Sequence, residues 1–273
     1  MILPFVKMHG AGNDFVVVSG IPARLAPLAD VPRMAALCAR RTGVGSEGLI
    51  ALLPPDDPAQ ADVRMLFLNP DGKPAEMCGN GARCAALEAH RLGLGQRSLR
   101  MQTGAGVVEA NILDPAPAHG RVRITLGPPP SPVRLEVLGL DVLSLNTGVP
   151  HAVVFVEDAE SVDVDGLGRA LRRHAAFAPA GTNVDFAQVL GSGALRLRTY
   201  ERGVEAESGA CGTGALAAAV AHVAVHAAAY PVSVRVSSGD ELAVGLSSDG
   251  RLTLTGPARE VFEGSIDLDA LLP

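Results

Sequence analysis

The sequence predicts an α+β protein of two pseudo-symmetric domains, each a curled, mainly antiparallel and barrel-like sheet around one central helix. Three observations point there. The stretch "MCGNGARCAA" at residues 77–86 is echoed by "ACGTGALAAA" at 210–219: each has a cysteine, a Gly-x-Gly-Ala turn and the opening of an alanine-rich helix. Cys78 and Cys211 lie 133 residues apart in a chain of 273, about half its length, as a duplication would place them. Short strand-like runs outnumber helices and recur in the same order in both halves.

In the first half, "FVVVSG" reads as a strand ending in a turn signal, and "VPRMAALCARRTG" as a helix up to Gly43. "ADVRMLFLNPDG" alternates like a strand and runs into a Pro-Asp-Gly turn. After the CGNG turn, "ARCAALEAHRLGL" is a helix that stops at Gly93, and "SLRMQTGAGVVEANIL" and "GRVRITLGPPP" are strands joined by turns. The second half repeats the order: strand "HAVVFV", helix "DVDGLGRALRRHAAF", strand "ALRLRTYERG", CGTG turn and helix, then strands through "VSVRVSSGDELAVGLSSDGRLTLTGP". "GRVRITLGP" at 120–128 is answered by "GRLTLTGP" at 250–257. The Pro-rich "LGPPPSPV" at 126–133 is the natural hinge, so two halves would meet at a cleft.

Composition excludes several classes. A formal charge of −6, no Trp and two Tyr argue against a nucleic-acid surface, which needs concentrated positive charge and stacking platforms. "LRLRTYER" at 195–202 alternates like a strand with one solvated face. The start "MILPFVKMHGAGNDF" lacks the charged lead and apolar core of a secretion signal, so a cytoplasmic location is expected. The uncharged run "ACGTGALAAAVAHVAVHAAAY" is mostly alanine and holds His222 and His226, which favours a buried helix over a membrane span. No CxxC occurs among the four cysteines, and the Cys78 to Cys84 gap fits no common zinc spacing; no metal is expected.

Reactive thiols are the live alternative. A cysteine at a helix N-terminus sits beside unpaired N–H groups and the positive end of the dipole, both of which favour thiolate. The dipole gives about 0.3–1 kcal/mol, while a pKa unit corresponds to about 1.36 kcal/mol, so a second influence is required. The glycines let N–H groups approach an anion closely. Two such turns facing each other would cradle an amino-acid carboxylate and put its α-carbon between two sulfurs, one removing a proton and the other delivering one to the opposite face. Like-charge repulsion leaves the pair as thiolate and thiol. The competing reading, that both are small buried hydrophobes, is set aside because their context is duplicated; Cys38 and Cys84 lack it and are assigned to packing. A pyridoxal phosphate enzyme needs a Schiff-base lysine, and neither Lys7 nor Lys73 follows a strand in a phosphate-binding setting, so no cofactor is expected. His222 and His226 lack the rest of a metalloprotease pattern, and "GAGNDF" lacks the third glycine of a dinucleotide fingerprint.

"KMHGAGNDFVVV", "FLNPDGKPAEMCGNGARC", "GTNVDF" and "YERGVEAESGACGTGA", in that order, resemble the diaminopimelate epimerases over essentially the whole chain. The resemblance implies two halves, residues 1–131, completed by about 259–273, and 132–258. It implies a cofactor-independent isomerase of lysine and peptidoglycan-precursor biosynthesis, a small-molecule substrate and a homodimer. It makes Cys78 and Cys211 the acid/base pair, with His151 and Glu201 supporting. Gly79, Asn80, Gly212 and Thr213 match positions that hold the reacting carboxylate. Asn13, Asn69, Asn183, Glu201 and Arg202 match substrate-binding positions, chiefly for the distal end. The chemistry suits them: Arg202 can pair bidentately with a carboxylate, Glu201 can pair with an ammonium, and neutral amides can serve a zwitterion. Taken alone, Asn69 in "NPDG" would read as a turn residue, and His151 as a core histidine. Two departures stand out: Val149 where many relatives have Asn, and Gly48 where some have Gln; Asn146 or Thr147 are candidates to compensate. Two other readings remain: a proline or hydroxyproline racemase of the same fold, whose first site tends to carry His where Asn80 stands, and a thiol redox switch formed by Cys78 and Cys211.

Overall fold

The structure is a computed structural model that describes residues 1–20 and 25–271. Residues 21–24 and 272–273 fall outside that description. The chain divides into two compact units, residues 1–124 with 256–273 and residues 125–255.

In the first unit, β1 (Ile2–Gly10) and β2 (Asn13–Ser19) form an antiparallel hairpin. Its two-residue loop, Ala11-Gly12, has positive φ at both positions (55° and 87°), the conformation that matches strand twist in tight hairpins. "HGAGNDF" is therefore a turn that delivers Asn13 to the first position of β2. Helix α1 (Val31–Cys38) carries the chain to β3 (Leu49–Leu53), which pairs parallel with β2. β4 (Val63–Leu68) pairs antiparallel with β3 and with the short β5 (Pro74–Ala75). Helix α2 (Gly79–Arg91) then crosses to β6 (Ser98–Thr103), parallel to β4. β7 (Gly106–Pro115) returns antiparallel, followed by β8 (His119–Thr125).

The second unit repeats this order. β9 (Val133–Val137) and β10 (Leu140–Asn146) pair antiparallel, and β10 pairs with β11 (Pro150–Val156). Helix α3 (Val164–Arg172) leads to β12 (Asn183–Gly191), parallel to β11, and β13 (Ala194–Glu201) follows antiparallel with the short β14 (Ala206–Ser208). Helix α4 (Gly212–His226) crosses to β15 (Val232–Arg235), parallel to β13; β16 (Glu241–Leu246) returns to pair with β17 (Leu252–Asp267). From Gly256 onward β17 belongs to the first unit, where it pairs antiparallel with β1. Each unit thus places its two parallel pairings across a helix, the connection such pairs require.

The central helices are buried on every side. Asn80 through Ala89 of α2 are all buried, as are Gly212 and Gly214 through His222 of α4; helices apolar all round belong in cores. Their alanines let the surrounding strands close in without large side chains to accommodate. Two boundaries depart from the sequence reading, one of them that of α3, which stops at Arg172 and is followed by a separate 3-10 turn at Ala175–Phe177. Helix α1 ends at Cys38 and not at Gly43, because Ala39 turns extended and the carbonyls of Leu37 and Cys38 accept from the amides of Val44, Gly45 and Ser46. The returning chain presses so close that a Cβ at Gly43 would meet the Ala36 carbonyl at 2.2 Å. Tertiary capture of those carbonyls overrides propensity.

Candidate active site

In the first unit Cys78 is the N-cap of α2, in extended conformation, and its half-buried sulfur accepts from the Gly81 amide at 3.5 Å. The opening turn of a helix leaves its N–H groups without intrahelical partners, so the thiol stands beside the amides of Gly79 and Asn80. Asn13 Oδ1 lies 3.6 Å from Cys78 Sγ and accepts from Asn80 Nδ2 at 3.1 Å. The polarity of this amide chain is set from one end: Arg83, fully buried, donates to Asn80 Oδ1 at 2.8 Å, which turns the Asn80 Nδ2 toward Asn13. Asn13 in turn donates its Nδ2 to Glu47. Cys78 is thus offered both an acceptor that suits a thiol and a donor that suits a thiolate. The backbone leaves no slack, since a Cβ at Gly10 would meet the Asn80 carbonyl at 2.7 Å.

Asn69 stands apart from this group. Its amide donates to Lys73 O and its carbonyl accepts from Gly72 N, so its main chain builds the NPDG turn, and no hydrogen bond among the described residues joins it to Cys78. Gly48 is a steric necessity: a Cβ there would meet Phe67 Cε2 at 2.6 Å and Leu68 O at 2.8 Å.

In the second unit Cys211 is the N-cap of α4, buried, with its sulfur 3.4 Å from Thr213 Oγ1. Thr213 Oγ1 is 3.0 Å from His151 Nε2, and His151 Nδ1 is 2.6 Å from Asp185 Oδ2. Asp185 accepts from Thr199 Oγ1 at 2.7 Å through its other oxygen, and both His151 and Asp185 are wholly buried. Asn183 places Nδ2 3.4 Å from His151 Nε2 while its Oδ1 accepts from the Arg202 amide at 2.8 Å. The parallel register of β11 and β12, His151 beside Asn183, makes this meeting possible. Arg202 also donates to Ala180 O, and Glu201 acts on Cys211 through its charge. Burial pushes the Cys211 thiol well up, the charges of Glu201 and Asp185 add to this, and the Thr213 hydroxyl opposes it.

Near Val149, the Asn146 side chain accepts from Gly148 N and Thr147 Oγ1 donates to Thr213 O at 2.8 Å. Thr147 therefore pins the first turn of α4. Cys38 and Cys84 are buried, and burial raises both thiols, that of Cys84 to about 12. His222 and His226 pack around Phe155, with His222 bonded to Ser192 O.

Two residues central to this geometry were missed in the sequence. Asp185 is a carboxylate between the apolar Val184 and Phe186 of a strand, and Arg83 a cation between alanine and cysteine in an alanine-rich helix. A charge inside an apolar run was the available signal, because charged groups are almost never fully buried unless partnered.

The model of the family described as diaminopimelate epimerase matches residues 5–130 and 143–261. The chain belongs to the diaminopimelate epimerase family. It is 43% identical to the diaminopimelate epimerase of Aquifex aeolicus (strain VF5), over 98% of this chain and 99% of that one. To that of Moorella thermoacetica it is 38% identical, over 97% and 99%. Solved structures share the fold of this family member at lower identity. A hydroxyproline epimerase from Agrobacterium vitis with bound trans-4-hydroxy-L-proline superposes at a TM-score of 0.70, with 19% identity over 98% of this chain and 93% of that one. A phenazine biosynthesis protein of the PhzF family from Bacillus anthracis does so at 0.70, with 14% identity over 98% and 99%.

Proposed function

We propose that the protein epimerises LL-2,6-diaminopimelate to the meso form by proton transfer between Cys78 and Cys211. The observation that carries the reading is the duplicated helix start: each unit caps its central helix with a cysteine, beside N–H groups that α-helix geometry leaves open to an anion. Family membership supplies the substrate. In the forward step one cysteine, as thiolate, takes the α-proton; the electron pair left on carbon is delocalised into the carboxylate, whose growing charge the helix-start amides stabilise. The other cysteine, as thiol, then gives its proton to the opposite face. The enzyme ends with thiolate and thiol exchanged, and atoms and charge balance. The residues that favour each state are present: Asn13 and Gly81 beside Cys78, and the Thr213 hydroxyl beside Cys211.

Arg202 and Glu201 would take the distal carboxylate and ammonium, with Asn69 and Asn183 completing that end. The reading includes a homodimer acting in the cytoplasm without cofactor. Among the described residues no helix is long and apolar enough to cross a membrane.

The test is deuterium incorporation from solvent into LL-diaminopimelate under reducing conditions. Exchange at one α-carbon with meso product is expected. Turnover of proline or hydroxyproline instead, with no exchange into diaminopimelate, would replace this substrate. Activity gained by oxidation and lost with reductant would favour the redox switch.

A further inference from the structure

We infer that Asp185 is a positioning residue for this reaction: it holds His151 in the one tautomer that lets Thr213 pass the Cys211 proton to the ring and back. The inference rests on the function proposed above and deepens it at one of the two thiols.

The hydrogen-bond directions carry the argument. The buried Asp185 carboxylate lies 2.6 Å from His151 Nδ1, and an ionised carboxylate only accepts, so Nδ1 carries the proton. The other ring nitrogen is fixed independently. Asn183 commits its Oδ1 to the Arg202 amide, which turns its Nδ2, a donor, toward His151 Nε2. Nε2 is therefore an acceptor. Thr213, 3.0 Å away, donates its hydroxyl proton to Nε2 and offers its lone pairs to the Cys211 thiol at 3.4 Å. Every donor and acceptor between Cys211 and Asp185 points one way.

The relay runs without net charge change. The Cys211 S–H proton moves to Thr213 Oγ1 as the Thr213 hydroxyl proton moves to His151 Nε2. The products are a thiolate and an imidazolium, the latter ion-paired with Asp185. The reverse movement restores the thiol. Cys211 needs such a store, because it is buried and the charges of Glu201 on β13 and Asp185 on β12 oppose its ionisation, while His151 on β11 is the proton acceptor that Thr213 connects to it. The second glycine of CGTG belongs to the same device: a Cβ at Gly214 would meet Asp185 Oδ1 at 2.4 Å.

The experiment maps alkylation of each cysteine by iodoacetamide, by peptide mass, against pH in the unmodified protein and in Asp185→Asn, Thr213→Val and Thr213→Ser. Asparagine keeps the shape of Asp185 but carries no charge, so an imidazolium at His151 loses its ion pair. Loss of the Asp185 charge alone would move the Cys211 labelling limb to lower pH, so the signature of the relay is a limb displaced to higher pH by about one unit or more in Asp185→Asn and Thr213→Val, and held in place in Thr213→Ser. The Cys78 limb should not move, and Cys38 and Cys84 should stay unlabelled, which reports that each variant is folded. The kcat/KM for epimerisation should fall by about 100-fold in Asp185→Asn, equally in both directions since the equilibrium constant is fixed, with its ascending limb displaced in the same sense. An unmoved Cys211 limb in Asp185→Asn overturns the inference, as does an equal displacement in Thr213→Ser and Thr213→Val. If Asp185→Asn does not fold, the two threonine variants decide alone. Displaced limbs in a protein that leaves diaminopimelate unchanged would sink the proposed function while leaving the relay in place.

Discussion

The two units share one plan of strands and helices, yet they set the same cysteine in opposite electrostatic surroundings. At the start of α2, Cys78 is half-buried, and the buried charge beside it is a cation: Arg83 orders the amides of Asn80 and Asn13. At the start of α4, Cys211 is buried and the nearby buried charge is an anion, Asp185, reached through Thr213 and His151. A buried cation favours thiolate and a buried anion disfavours it. Each unit thus keeps the same helix start at its cysteine while the side chains around it diverge. Under the function proposed above, the burial and neighbouring carboxylates that oppose ionisation of Cys211 bear on which thiol holds the proton.

The largest expected effect removes the shared element. Cys78→Ala or Cys211→Ala should each lower epimerisation by about 10³-fold or more. Solvent exchange without inversion, measured by mass spectrometry, separates the two: a variant that keeps its base can still exchange the α-proton of one stereoisomer. Retained epimerisation in either variant would break the idea of paired roles.

A smaller effect sharpens the comparison at the second glycine of each motif. Gly214→Ala would drive a Cβ into the Asp185 carboxylate, whereas at Gly81 a Cβ meets Ile50 Cδ1 at 3.1 Å and Met65 Cε at 3.4 Å, the ends of flexible side chains. Overpacking against a fixed group costs about 1–3 kcal/mol, while replacing Gly by Ala inside a helix returns about 1 kcal/mol. Denaturant unfolding should thus show Gly214→Ala clearly destabilised and Gly81→Ala near neutral. Equal losses would mean that the two helix starts are packed alike.

These differences also explain what could be read in the sequence. Strands such as β4, β6, β11 and β13, the central helices and the paired CGxG turns follow from local patterns, so they were legible, whereas β1, β3, β9, β10 and β12 were not read. The two cysteines were singled out by their duplicated turns, whereas Asn13, Asn80, His151, Asn183 and Thr213 were named only through the family resemblance; hydrogen bonds join each of them to neighbours within its own unit. Asp185 was not legible, because its partner lies 34 residues away and meets it only through the parallel pairing of β11 with β12. Arg83 was not, because nothing local shows that a helix is buried on the face an arginine occupies. The end of α1 was misread since distant amides, not propensity, terminate it.

The smallest expected effect lies in acid, and it has opposite signs at two carboxyls, one in each unit. In the second unit the Arg198 guanidinium, bonded to Glu207 at 2.6 Å and 2.9 Å, holds that carboxyl below its ordinary value of 4.5. A lowered carboxyl contributes stability above its unfolded value and loses it as pH falls through the folded one. In the first unit burial raises the Glu88 carboxyl above 4.5, against the opposing charge of Arg91. A raised carboxyl costs stability above its folded value, and the cost fades as pH falls toward the unfolded one. Acidification below about pH 5 should therefore relieve the Glu88 site and weaken the Glu207 site. Hydrogen exchange followed with pH reads the two separately: Glu207→Gln should flatten the acid loss of protection in β13 and β14, and Glu88→Gln should raise protection of α2 at neutral pH and leave it unchanged in acid. A uniform response in both units would mean that the ion pair at Glu207 contributes no more than an exposed one.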